Sequence, residues 1–226
     1  MFEKNPVKLY FKNAKSLWKL AFIFGVFAIA VGIGNGGFNI VPLILGIAIV
    51  VASVYYIRIH SKSWKPEMVD EYFSTIELVD PRPVEEGDKV FYFEGFSTIG
   101  LKYSAIFRKD KKDGIPRSSV YQKAQIIVRG TELIMDSNAV SVMEDNNSVE
   151  HFRYHADRIS DCQIFEHVIP CWEIARDGKN VPGLFRQLAI FIDGDYDICF
   201  ALRDEDVEKA EELKAEIDRM RDEIFA

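Results

Sequence analysis

The sequence predicts a membrane-anchored α+β chain. An N-terminal transmembrane helical hairpin leads into a β-rich barrel or sandwich capped by a C-terminal amphipathic helix. Three observations carry this. Residues Leu20–Ile57 include no charged side chain. Residues 72–202 form a series of short aromatic and β-branched runs separated by turn sequences. Val207, Ala210, Leu213, Ile217, Met220 and Ile224 recur every three or four positions, the period of one helix face.

The uncharged run of 38 residues is too long for one crossing, which takes about 20, and suits two. Gly34-Asn35-Gly36-Gly37 divides it, because such a sequence weakens any helix passing through it. The spans are expected at about Ser16–Ile33 and Phe38–Ile57, with Pro42 tolerated in the first turns of the second. Neither span has a polar face to turn toward water. Ala28-Ile29-Ala30 resembles a signal-peptide cleavage site, but the apolar run beyond it would still anchor the chain. The organisation expected is a basic interfacial segment over 1–15, two spans within 16–60, a polar connector over 61–71, and a β-rich domain over 72–226 whose final helix covers 204–225.

Charge is divided unevenly. Lys4, Lys8, Lys12, Lys15, Lys19, Arg58, Lys62 and Lys65 face Glu3 alone in residues 1–65, a net +7, which leaves −14 on the remainder of a chain with net −7. The acidic part repels a polyphosphate backbone, so no nucleic-acid polymer is expected as a partner. Basic flanks and a chargeless turn place both termini in the cytoplasm of a multi-pass inner-membrane protein. Lys8, Lys12, Lys15 and Lys19 recur at four, three and four, one face of a helix lying on anionic lipid; Arg58, Lys62 and Lys65 complete the membrane-surface set. Gly25, Ala28 and Gly32 in the first span, and Ala48 and Ala52 in the second, allow close helix packing within the hairpin or between chains.

Strand-like runs are read at Tyr72–Val79, Val90–Phe96, Leu101–Arg108, Gln125–Val128, Glu132–Met135, Val149–Tyr154, Gln163–Ile169 and Trp172–Ala175, with turns at Arg129-Gly130-Thr131 and Asp177-Gly178-Lys179-Asn180. Alternating Leu188, Ile190 and Ile192 meet alternating Tyr196, Ile198, Phe200 and Leu202 through Asp193-Gly194, a tight hairpin signal. Asp204 is then expected to cap a helix with an acidic first turn.

From about Tyr121 to Met220 this pattern resembles a bacterial pleckstrin-homology-like (PH or GRAM type) domain. The strand pair Gln125–Met135, Phe152-Arg153-Tyr154 leading to Ile159, the hairpin Leu188–Leu202 and the final helix carry the resemblance. It implies a bent seven-strand barrel plugged at one end by that helix. About ten strand candidates are present, so extra strands or mistaken loops are expected. The resemblance implies a non-catalytic module that meets a protein or lipid at the membrane face. A two-helix anchor before a β-barrel also resembles the membrane effectors of bacterial cyclic-oligonucleotide antiphage systems, which implies a cyclic-nucleotide receptor that oligomerises and disrupts the membrane.

No P-loop, Gly-x-Ser-x-Gly elbow, kinase set or dinucleotide fingerprint occurs, so no catalytic residue and no cofactor is expected. His151, His155, His167 and Cys162 lie close in sequence, but a strand does not bring the four-apart histidines together on a metal, and none is predicted. Cys162, Cys171 and Cys199 form no disulfide framework and are expected to be reduced. Arg108, Lys109, Lys111, Lys112 and Arg117, interrupted by Asp110 and Asp113, form a basic loop in an acidic domain. PH-like domains use such loops to meet anionic headgroups, which makes this the candidate ligand or headgroup site.

Overall fold

The structure is a computed structural model that describes residues 6–11, 14–34, 39–62, 65–102, 104–111, 113–144, 146–173 and 180–225. The chain divides into two compact units, Met1–Tyr72 and Phe73–Ala226.

The first unit contains α1 (Pro6–Phe11), α2 (Ala14–Gly34) and α3 (Ile40–Lys62), and α4 (Pro66–Ser74) runs across the boundary. Within α3, the 18 residues Ile40–Ile57 are long and apolar enough to cross a membrane. Among the described residues, the apolar part of α2 is Trp18–Gly34. The two helices pack through glycine. A Cβ on Gly46 would stand 2.7 Å from the Gly25 carbonyl oxygen, and one on Gly32 would stand 2.9 Å from the Leu43 nitrogen. Gly46, absent from the expected small-residue set, therefore makes the seam, whereas Ala48 and Ala52 face outward beside Ile44, Ile47, Val51 and Tyr55. Trp18 stacks on Tyr56 with ring centroids 4.0 Å apart.

The second unit is a curled α+β domain of two sheets. One has the order β1 (Lys89–Phe96), β4 (Val120–Arg129), β5 (Glu132–Ser141), β6 (Asn146–His155), all antiparallel. The other has the order β3 (Pro116–Ser118), β2 (Phe107–Lys109), β7 (Ile159–Glu173), β8 (Asn180–Ile192), β9 (Asp195–Leu202). It is mixed, because β2 joins β7 in parallel. The short β2–β3 hairpin is inserted between β1 and β4. Without it, a four-strand meander is followed by a three-strand meander and then α5 (Val207–Phe225).

The inward residues of both sheets alternate as a half-buried strand requires. Phe91, Phe93, Ile126, Leu133, Met135, Leu188, Ile190, Ile198 and Phe200 form one core, which α5 completes with Ala210, Leu213, Ile217 and Met220. Asp193 and Gly194 both have positive φ (53° and 88°), the primed turn whose twist suits a two-residue hairpin.

Several expectations are corrected. Tyr72–Val79 is not a strand: it is the end of α4 and an irregular segment. Pro66 and Glu67 open α4 favourably, and Val69 and Phe73 are buried four apart. Among its described residues, Leu101–Arg108 contributes only the start of β2. Gln163–Ile169 and Trp172 belong to one continuous strand through Pro170. The turn residues 177–179 lie outside the described residues. Asp204 does not cap α5, because a 3-10 turn, Asp204–Asp206, precedes that helix. Its carboxylate pairs with Arg186, while buried Asp206 accepts from Arg203 and Lys209.

β1 and β9 approach each other as edges of the two sheets; no β1–β9 ladder is present among the described residues, and a side chain of β4 reaches β9 instead. Gly95 on β1 lies directly opposite Gln122 on β4. A Cβ at Gly95 would come within 3.1 Å of the Leu202 backbone, so glycine permits the approach. Across this gap Gln122 donates to the Cys199 carbonyl at 3.1 Å and accepts from the Ala201 N–H at 3.0 Å. One amide thus satisfies two backbone groups on the open edge of β9, as a strand would.

Candidate functional site

The predicted headgroup loop is redistributed by β2 and β3. Arg108 and Arg117 are directly opposite each other in the antiparallel pair, and both are buried, Arg117 to 1 % exposure. Arg117 donates to Asp113 at 2.8 Å. Burial alone would raise the Asp113 pKa, but the Arg117 hydrogen bond and backbone donors outweigh it and hold the carboxyl below its usual value. Arg108 is paired in register with Trp172 of β7, and its guanidinium lies 5.8 Å from the indole centroid. Lys109 donates to the Pro182 carbonyl at 2.9 Å. Lys111 is exposed, and Lys112 lies outside the described residues. The arginines of the expected loop are thus drawn into structure, and the lysines are its surface.

Of the membrane-surface set, Lys8 is half-buried in α1, while Lys15 and Lys19 begin α2. Arg58 and Lys62 extend α3 beyond its apolar stretch, and exposed Lys65 precedes α4. Lys12 lies outside the described residues. Of the helical face expected from Lys8 to Lys19, Lys8 falls in α1 and Lys15 and Lys19 fall in α2.

Unanticipated by the sequence is a polar strap over the outer face of the first sheet. Residues 75–88 cross it in irregular conformation, fixed by side chains of β4 and β5. Asn138 donates to the Glu77 carbonyl at 2.8 Å, Gln125 to that of Arg82 at 3.0 Å, and Arg129 to that of Pro83 at 3.0 Å. At its centre Arg82 gives Asp136 both its backbone N–H and its Nε at 2.8 Å. His151, opposite Asp136 in register, reaches the same carboxylate at 2.9 Å. Burial alone would raise the Asp136 pKa, but these hydrogen bonds overcome it and lower the value. Pro81 and Pro83 on either side of Arg82 favour the extended strap. They are its only trace in the sequence.

At the inner, concave face beside β9 there is a cavity of about 220 Å³, lined by Gln122, Ser137, Ser148, Glu150, Ile198 and Phe200 among others. Its described lining includes Glu150 and no Lys or Arg, so it offers a phosphate no counter-charge. His155 is held by Asp157 and Thr131, at 2.9 and 3.0 Å. Burial pushes the Cys162 thiol up to about 12 and that of Cys171 to about 11, as for inert interior cysteines.

Comparison of the chain with protein-family models, curated proteins and solved structures gives no match.

Proposed function

We propose that this chain is a non-catalytic, multi-pass inner-membrane protein that presents a PH-like interaction module at the cytoplasmic membrane face. The observation carrying this reading is the presence, in one chain, of a membrane-capable α3 and a domain of four-plus-three strand connectivity closed by an amphipathic C-terminal helix. That connectivity supports the PH-like reading, with β2–β3 as an insertion. The interior where a barrel receptor would hold a large ligand is filled instead by Leu213, Ile217 and Met220 of α5, which favours a module that acts through its surface. The hairpin packing through Gly25, Gly32 and Gly46 supports two crossings, with lysines in the first turns of α2 reaching back to the headgroups. Basic flanks and an uncharged turn support cytoplasmic termini.

Cysteine accessibility in intact cells tests the topology. A thiol introduced by Asn35→Cys is expected to react with an impermeant reagent, and one introduced by Ala226→Cys only after lysis. The reverse pattern refutes the orientation. Release of the chain by alkaline carbonate refutes the anchor.

A further inference from the structure

The long β7–β8 hairpin continues past the point where β9 stops pairing, at Arg186↔Leu202. Beyond it, one face reads Val168, Pro170 and Trp172 on β7 against Leu184 and Pro182 on β8. Val168 is opposite Leu184, and Pro170 is opposite Pro182. Side chains two apart on a strand share a face, as do directly paired residues, so these five form one ribbon. All are exposed: Val168 to 69 %, Trp172 to 43 % and Leu184 to 41 %. The opposite face of the same segment is covered, with Cys171, Gly183 and Phe185 buried. A Cβ at Gly183 would collide with Cys171 Sγ at 2.4 Å and with Pro116 Cβ at 2.8 Å. The ribbon is therefore an exposed apolar outer surface on a tightly packed hairpin.

The basic loop is fastened beside it. Lys109 bonds the Pro182 carbonyl, Arg108 lies by Trp172, and exposed Ile115 follows. Residues 108–117 contain Arg108, Lys109, Lys111, Lys112 and Arg117 against Asp110 and Asp113, a local +3 on a domain, Phe73–Ala226, whose total is −11. An anionic surface attracts this pole and repels the rest, which orients the whole domain. Aromatic and aliphatic side chains beside lysines suit the headgroup–acyl boundary, where tryptophan is favoured.

We infer that the β7–β8 ribbon, with the neighbouring basic loop, docks into the interface of an anionic phospholipid bilayer. The inference rests on the anchored reading: only residues 63–72 separate α3 from the domain, so the tether keeps lipid at high effective concentration. Docking would fix the domain in one orientation on its membrane.

The test uses the full chain in bilayer discs, with Trp18→Phe and Trp64→Phe leaving Trp172 as the reporter. Discs of phosphatidylcholine are compared with discs containing phosphatidylglycerol, each with and without lipids brominated near the top of the acyl chain. The expected result in anionic discs is a blue-shifted Trp172 emission that loses most of its intensity to the brominated lipid. High salt, and the triple variant Lys109→Glu/Lys111→Glu/Lys112→Glu, should restore that intensity. Val168→Ser with Leu184→Ser, both at exposed positions, should weaken quenching while leaving the circular dichroism unchanged. A chain that enters the discs while Trp172 stays unquenched overturns the docking alone. A Trp172 shielded instead by a concentration-dependent contact between chains overturns it in favour of a second copy. A chain that fails to enter the discs overturns the anchored reading and the docking with it.

Discussion

Replacing Gln122 with alanine tests the seam between the two sheets. The substitution removes three hydrogen bonds, to the Cys199 carbonyl, the Ala201 N–H and Ser137 Oγ, at 3.1, 3.0 and 3.0 Å. Each contributes about 0.5–1.5 kcal/mol net, and a buried donor left without a partner costs about 1–3 kcal/mol. Ala201 is 2 % exposed, so water does not easily replace the glutamine. Together these give a loss of about 2–4 kcal/mol, a large part of the roughly 5–15 kcal/mol that holds a domain folded. Urea denaturation of residues 66–226 measures it, and amide exchange locates it: protection at Ala201 should fall more than at Ile190, whose strand is paired on both sides. Gln122→Glu adds a pH arm. Its carboxyl donates to the Cys199 carbonyl only when protonated, so its folded-state pKa is raised. That variant is then most stable below about pH 4, the ordinary glutamate range, and weakens as pH rises through the folded-state value. Unchanged Ala201 protection in Gln122→Ala, with stability within about 0.5 kcal/mol of the parent, would refute the seam.

Leu213→Ala should cost about 2–5 kcal/mol at any protein concentration, because that side chain is wholly buried in the core, while exposed Glu211→Ala should cost less than about 0.5 kcal/mol. A concentration-dependent melt for Leu213→Ala would instead make α5 an association arm. Arg82→Ala leaves the buried Asp136 carboxylate without its cation, a loss of about 3 kcal/mol, at the low end of the buried-pair range because Arg82 is partly exposed. Asp136 is held below its usual value of 3.8, so its contribution is complete above that pH and is lost as pH falls through the folded-state value. Asp136→Asn should therefore flatten the acid limb of the stability profile, and a limb of unchanged slope counts against the strap. Gly46→Leu should force α2 and α3 apart and lower the melting temperature of the full chain in detergent, whereas Ala48→Leu, on the outward face, should leave it unchanged. Equal effects of the two would contradict a glycine seam.

Three parts of this protein were legible from residue order alone. An uncharged run marks α3, Asp193-Gly194 between alternating strands marks the final hairpin, and a stripe from Val207 to Ile224 marks α5 and the face it buries. Each is a periodicity of the backbone itself, which fixes where neighbouring side chains point. Other features were decided only by tertiary structure. Tyr72–Val79 alternates like a strand, yet it finishes a helix and starts a strap, whose Glu77 carbonyl accepts from the Asn138 side chain on β5. Arg108 and Arg117 read as a surface cluster, but strand pairing sets them opposite each other and draws them inward. Arg82 meets Asp136 across 54 residues, and Gln122 meets Ala201 across 79. Such contacts leave no local period, since the chain must first close into sheets before one residue can tell what the other offers. The sequence by itself therefore determined the elements with internal repeats, and the folded domain decided which polar side chains became structure and which remained surface.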